Sequence, residues 1–378
     1  MRIAFYAPMK PPTHGTPSGD RRVARLYMEA LARAGHRVEL ASSFRSYDAA
    51  GDAARQQALA RQGGALGHAL AARWRAQAPA ARPALWFTYH LYYKAPDWLG
   101  PEVAAALGIP YVVAEASYAA RRAQGPWAIG HEGACAAIRR AKLLLCPTRE
   151  DAAGLAPIVP DASRVVWLPP FLDTAPYARA AASRAAHRAR LAAAHRLDPT
   201  IPWIAAVAMM RPGAKLASYR ALAGTLARLA DLRWHLLVAG DGAARPEVEA
   251  ALEEAVPGRV AWLGALREEA VAGLCAASDL CVWPAVDEAY GMALLEAQAA
   301  GIPVVAGASR GVPEVVSDGR SGLLVAPGDE AALAAAARRL LEAPELRRAM
   351  GRAAAAFVAS ERGLEGAARR LGELLSAL

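Results

Sequence analysis

Short apolar runs alternate with longer amphipathic stretches along the whole chain, the pattern of a parallel sheet covered by helices. In the first half, runs at 2–9, 36–41, 83–90, 109–116, 142–147 and 165–168 read as buried strands. Between the first two, Val23, Leu26, Tyr27, Ala30, Leu31 and Ala34 recur at helical spacing and predict a helix over 20–34. An Ala-rich stretch with Trp74 near its end predicts a long helix over 53–78. Thr148 reads as an N-cap, with Asp151 at the third helical position.

The pattern then begins again. Strands are predicted at 203–209, 234–239, 260–263 and 279–284, with helices at 218–229 and 292–300, the latter closed by Gly301. The intervening 174–199 is rich in Ala, Arg and His without an apolar stripe, which predicts an exposed connecting helix. From residue 330 onward two or three helices finish the chain. The expected organisation is α/β, with two Rossmann-like doubly wound domains at 1–175 and 176–359. In the fold that the motifs quoted below resemble, a last helix, here at about 360–378, returns to the first domain.

A chain of 378 residues is too long for one ordinary core and suits two. Its 55% apolar and 21% charged residues describe a globular protein rather than a disordered one. No apolar run reaches the roughly 18 residues that cross a bilayer, and the chain enters a strand directly from Met1. A cytoplasmic protein is the expectation. The four cysteines lie in apolar runs without metal or redox spacing, so buried thiols are expected and no metal site is assigned. A net charge of +9 admits nucleic acid, an anionic membrane face or an anionic small substrate as partner. No nucleic-acid motif accompanies it. The basic helix with Trp74 keeps a peripheral contact with an anionic membrane, at its inner face, open as a minor reading.

Candidate chemistry gathers where strands end, because parallel sheets bind ligands at their carboxyl edge. His90 closes the strand at 83–90, although a histidine satisfied within the core is the other reading. Gly15 and Gly19 lie in the Gly/Pro-rich loop 10–19, but not in the G-x-G-x-x-G spacing of a dinucleotide site, which disfavours an NAD enzyme. Arg211 and Lys215 follow the strand at 203–209 in a Gly/Pro turn, a fork and a point charge suited to a diphosphate. After the strand at 279–284, a helix opens at Gly291 and Met292, where backbone N–H groups and a positive dipole end fit a phosphate. Glu288 precedes that opening and Glu296 lies inside the helix. By spacing alone, two ligand contacts and a pair of carboxylates with only local roles are equally good readings.

The stretch beginning at Glu288, E-A-Y-G-M-A-L-L-E-A-Q-A-A-G-I-P-V-V, resembles the E-x7-E signature of retaining glycosyltransferases of the GT-B fold, family 4 type (glycosyl transferases group 1). It departs from that signature at Ala289, where Pro is common, and at Tyr290, where Phe is common. The resemblance extends to Met210-Arg211-Pro212-Gly213-Ala214-Lys215, to the Gly240-Asp241-Gly242 turn, and to Gly264 after the strand at 260–263. It implies two domains facing each other across a cleft, and transfer of a sugar from a nucleotide diphosphate sugar to a glycan, lipid-linked or small-molecule hydroxyl. By carry-over, Glu296 holds the ribose, Glu288 the transferred sugar, and Lys215 with Arg211 the diphosphate. Gly264 lies beside the base, Gly15 and Gly19 by the diphosphate and acceptor, and His90 by the sugar. The nucleotide sugar is a co-substrate, and no metal or other cofactor is implied. The same architecture admits a nucleotide-sugar epimerase, a glycan phosphorylase or a non-catalytic nucleotide-sugar or glycan-binding protein as alternatives.

Overall fold

A computed structural model describes residues 1–16 and 18–378; Pro17, in the loop 10–19, lies outside the described residues. The chain divides into two compact units, Met1–Pro169 with Leu364–Leu378, and Pro170–Gly363.

The first unit is built on strands β1 (Arg2–Tyr6), β2 (Arg37–Ser42), β3 (Leu85–Leu91), β4 (Tyr111–Ala116), β5 (Leu143–Cys146) and β6 (Val165–Trp167). All pair in parallel, in the order β2-β1-β3-β4-β5-β6. Their helices are α1 (Gly19–Arg33), α2 (Ala53–Arg75), α3 (Gly100–Leu107), α4 (Ala128–Arg140) and α5 (Arg149–Leu155). The four inner strands, β1, β3, β4 and β5, are buried on both faces, which is why they read as continuous apolar runs rather than alternating ones, whereas the edge strands β2 and β6 are only half-buried. Ring contacts hold the layers together: Phe5 stacks on Phe87 at 5.7 Å, and Trp74 of α2 meets Trp86 of β3 edge-on at 6.2 Å. Ser18 caps α1 by accepting from the Arg21 N–H, and Thr148 caps α5 by accepting from the Asp151 N–H at 2.9 Å.

The second unit repeats the plan with β7 (Trp203–Val207), β8 (His235–Ala239), β9 (Val260–Gly264), β10 (Leu280–Trp283), β11 (Val304–Gly307) and β12 (Gly322–Val325). The order is β12-β11-β10-β7-β8-β9, again all parallel. Helices α6 (Ala175–Ala182), α7 (Arg184–His195), α8 (Ala214–Ala227), α9 (Arg245–Ala255), α10 (Glu268–Ala277), α11 (Met292–Ala299), α12 (Val312–Val315), α13 (Glu330–Glu342) and α14 (Pro344–Glu361) surround it. The last helix, α15 (Leu364–Ser376), belongs to the first unit, where it packs on α1. Among the described residues, no helix is long and apolar enough to cross a membrane.

Two expectations need correction. The segment 174–199 is not a solvated connector: α6 and α7 both pack on α10, Tyr177 is fully buried, and Arg184 and Arg188 grip Asp279 at 2.7 and 2.9 Å. Arginines that read as a solvated face are the anchors, because their stems cover apolar surface while their forks reach one carboxylate. Strand β7 also stops at Val207, and α8 begins at Ala214 instead of 218. Lys215 therefore sits in the first turn of a helix and not in a loop.

Each sheet reverses direction once. In the first unit the chain leaves β1 for β2 on one side and returns to β3 on the other; in the second it leaves β7 for β8 and β9, then returns to β10. At such a point the loops diverge and leave a crevice beyond the strand ends.

Candidate functional site

In the second unit the reversal lies between β7 and β10, and the residues that follow those two strands meet there. Lys215 Nζ pairs with Glu288 Oε2. The same oxygen accepts from Trp283 Nε1 at 3.1 Å, and the Lys215 ammonium lies 5.6 Å from the Trp283 ring centre. Tyr219 meets that ring edge-on at 5.0 Å and donates its hydroxyl to Ala208 O at 2.8 Å, so the base of the site is fixed from α8 and β7 together.

The loop carrying Glu288 is strained and tied down. Ala285 and Asp287 take left-handed backbone at φ 58° and 47°, which a side chain disfavours and surrounding structure must impose. Ser218, fully buried on α8, accepts from the Val286 N–H at 3.0 Å, and the Gly311 N–H donates to Ala289 O at 3.0 Å. Gly291 opens α11 at φ 76°, and a Cβ there would lie 3.0 Å from Leu294 Cδ1, so only glycine makes this entry without strain. Glu296, on α11, is 5% exposed. It helps raise the Cys281 thiol to about 12, after the larger effect of burial.

Not every predicted residue joins this group. Arg211 is exposed and rests on the Met209 sulfur at 2.8 Å, away from any carboxylate. Gly264 closes β9 at φ 65° and accepts from the Gly240 N–H at 2.8 Å. Gly15 and Gly19 have open space where a Cβ would stand, so packing within the chain does not require glycine at either.

In the first unit the reversal lies between β1 and β3, and there too the flanking loops meet. His90, at the end of β3, puts Nδ1 3.1 Å from Asp20 Oδ1 at the start of α1 and 3.5 Å from Glu115 Oε1 at the end of β4. Both His90 and Glu115 hold left-handed backbone, φ 61° and 58°. Burial alone would depress the imidazole, but Glu115 and Asp20, with Asp151 behind them, outweigh it and push His90 up to about 9. Burial pushes Glu115 up; it is also the largest single influence on Asp20, but the hydrogen bond and charge of His90, a backbone N–H and Lys10 together outweigh it and hold Asp20 below its ordinary value. At neutral pH His90 is thus a fixed cation and a proton donor.

The sequence reading picked His90 but missed Asp20 as its partner and gave Glu115 and Asp151 no role at the site. A charged residue ending an apolar strand was the available signal for Glu115. Trp283 gave none, since an aromatic in a buried strand is ordinary core.

Residues 202–343 match the family model for glycosyl transferases group 1. Over these residues the chain is similar to the glycosyl transferases of group 1. The chain is 36% identical over 187 residues to the D-inositol 3-phosphate glycosyltransferase of Streptomyces avermitilis, a match covering 47% of this chain and 39% of that protein. The chain thus spans about two fifths of that relative. Its fold matches the sucrose-phosphate synthase of Thermosynechococcus elongatus with a TM-score of 0.75 at 21% identity, covering 100% and 98% of the two chains. It also matches the Anabaena protein Alr3699/HepE in complex with UDP, with a TM-score of 0.74 at 17% identity and 100% of both chains. The two parallel six-stranded sheets flanked by helices are the GT-B architecture.

Proposed function

We propose that this chain is a retaining glycosyltransferase that moves a sugar from a nucleotide diphosphate donor to an acceptor hydroxyl. The observation that carries the reading is the meeting of Lys215, Glu288 and the opening of α11 at the β7/β10 reversal. A diphosphate brings negative charge that competes with Glu288 for the Lys215 ammonium, and Glu288 is then released to accept from hydroxyls of the donor sugar. Glu296 takes the ribose hydroxyls. As the bond between sugar C1 and the phosphate oxygen breaks, its electron pair passes to the phosphate, where Lys215 and the α11 amides stabilise the growing charge. The acceptor oxygen bonds to C1 on the face the phosphate leaves, and its proton passes to the departing phosphate. The likeness to a chain that binds UDP supports a uridine nucleotide as the first donor to try.

The test is a thermal-shift screen of UDP-, GDP- and ADP-sugars, followed by product analysis with the donor that stabilises. One nucleotide series is expected to raise the melting temperature, by about 2.7 kcal/mol of stability at 100 times its dissociation constant. Absence of any shift, in the wild type and with all three series, would overturn the reading.

A further inference from the structure

We propose that Lys94 and Arg122, in the loops after β3 and β4 of the first unit, form an oxyanion site that receives a phosphate or carboxylate group on the acceptor. The acceptor part of this statement rests on the transferase reading; the anion site itself does not.

Both cations are held by aromatic faces. The Arg122 guanidinium lies 5.0 Å from the Tyr93 ring centre and 5.1 Å from that of Trp127, and the Lys94 ammonium lies 4.7 Å from Trp127 and 6.0 Å from Tyr93. Stacking fixes a guanidinium by its flat face and leaves the N–H donors around its edge unused. Among the described residues, no carboxylate lies within ion-pair distance of Lys94 or Arg122, and Arg122 Nε is buried without a hydrogen-bond acceptor. Two cations fixed side by side with no carboxylate opposite them leave an uncompensated charge that an oxyanion from outside the chain can neutralise.

The platform is built rather than incidental. Asp48, 2% exposed, accepts from the Ala50 and Asp52 N–H groups at 3.1 and 3.0 Å and from Gln56 Nε2 at 3.1 Å. Gln56 in turn donates to Pro126 O at 2.7 Å and accepts from the Gly130 N–H at 2.9 Å. The Asp48 backbone finishes the stitching: its N–H donates to Lys94 O at 2.8 Å, and its carbonyl accepts from Trp127 Nε1 at 3.2 Å. A Cβ on Gly130 would fall 2.1 Å from Tyr93 O, so the α4 entrance and the Tyr93 loop are in closest approach. A satisfied buried network of this kind locks three loops that otherwise have no reason to share a geometry. From the platform, Tyr93 leads to Tyr92 at 5.3 Å between ring centres, and Tyr92 to His90 at 5.2 Å. The platform is thus joined to His90 through two aromatic rings.

The experiment follows the Trp127 indole N–H signal by NMR in the full chain, assigned with Trp127→Phe. Inorganic phosphate, glucose 6-phosphate, glucuronate and glucose are titrated at constant ionic strength. Saturable shifts with phosphate or glucuronate, and none with glucose, are expected; which anion works tells a phosphate-bearing acceptor from a carboxylate-bearing one. R122Q is expected to weaken the binding about tenfold, as loss of one charged hydrogen bond does, and K94Q/R122Q to abolish it. Arg122→Lys, which keeps charge and stem but loses the fork, serves if R122Q fails to fold. No saturable shift with any anion, an equal response to glucose, or a response that survives the double substitution would overturn the proposal. UDP titrated into the wild-type chain reports on the second unit, so failure of the donor reading is seen separately.

Discussion

The two sheets are the same construction with opposite charge logic. Each places its polar side chains where strand order reverses, β1/β3 in one and β7/β10 in the other. In the second unit a lysine and a glutamate neutralise each other beside a helix opening. In the first unit a histidine is held charged by carboxylates from α1 and β4, with unpaired cations farther out on aromatic rings. One reversal point pairs a cation with an acid beside a helix opening, and the other sets an imidazole between two acids. Topology thus chooses where a site lies, and the residues on the loops choose what it binds.

The comparison is broken most directly at Lys215. Lys215→Ala is expected to lower turnover by about 10²–10³-fold, the usual effect of losing one charge-stabilising donor, with little change in melting temperature. Turnover near wild type would mean the second reversal point is not where the leaving phosphate sits. Next in size, Glu296→Gln is expected to weaken nucleotide binding in calorimetry by about 1.5–3 kcal/mol while leaving the fold intact.

The first unit answers to pH instead. Because folding raises His90 from its unfolded value of about 6.5 to about 9, its stabilising contribution is complete below pH ~6.5 and is lost as pH rises through about 9. Its size is roughly 1–3 kcal/mol, since the side chain is 20% exposed. Urea melts from about pH 6 to about pH 10 are expected to show a slope that His90→Gln removes. Parallel pH curves for the two would show that Asp20 and Glu115 do not hold the imidazolium. Smallest of all, Arg310→Ala breaks the exposed pair with Asp287 at 3.2 Å, and is expected to change stability by about 0.5 kcal/mol or less. A larger effect would show that this pair helps impose the strained loop.

The second site was legible in the sequence because its parts are close together in the chain. Glu288, Gly291 and Glu296 span one loop and one helix, so their spacing alone fixes their relation. Lys215 was named from its position after β7, although the pairing with Glu288 needed the strand order. The first site was nearly illegible: Asp20, His90, Glu115 and Asp151 come from four separate stretches, and no spacing rule relates them. The same holds for Asp48, Gln56, Lys94, Arg122 and Trp127.

Hydrophobic periodicity, by itself, determined two doubly wound layers, because burying a strand on both faces leaves a signal within each strand's own few residues. It also determined the helix opening at Gly291, where local backbone geometry decides. Only the tertiary structure decided the burial of Tyr177, the clamp on His90 and the unpaired state of Lys94 and Arg122. Those depend on which distant side chains arrive within a few ångströms, and electrostatic interactions and desolvation are set by that neighbourhood and not by order along the chain.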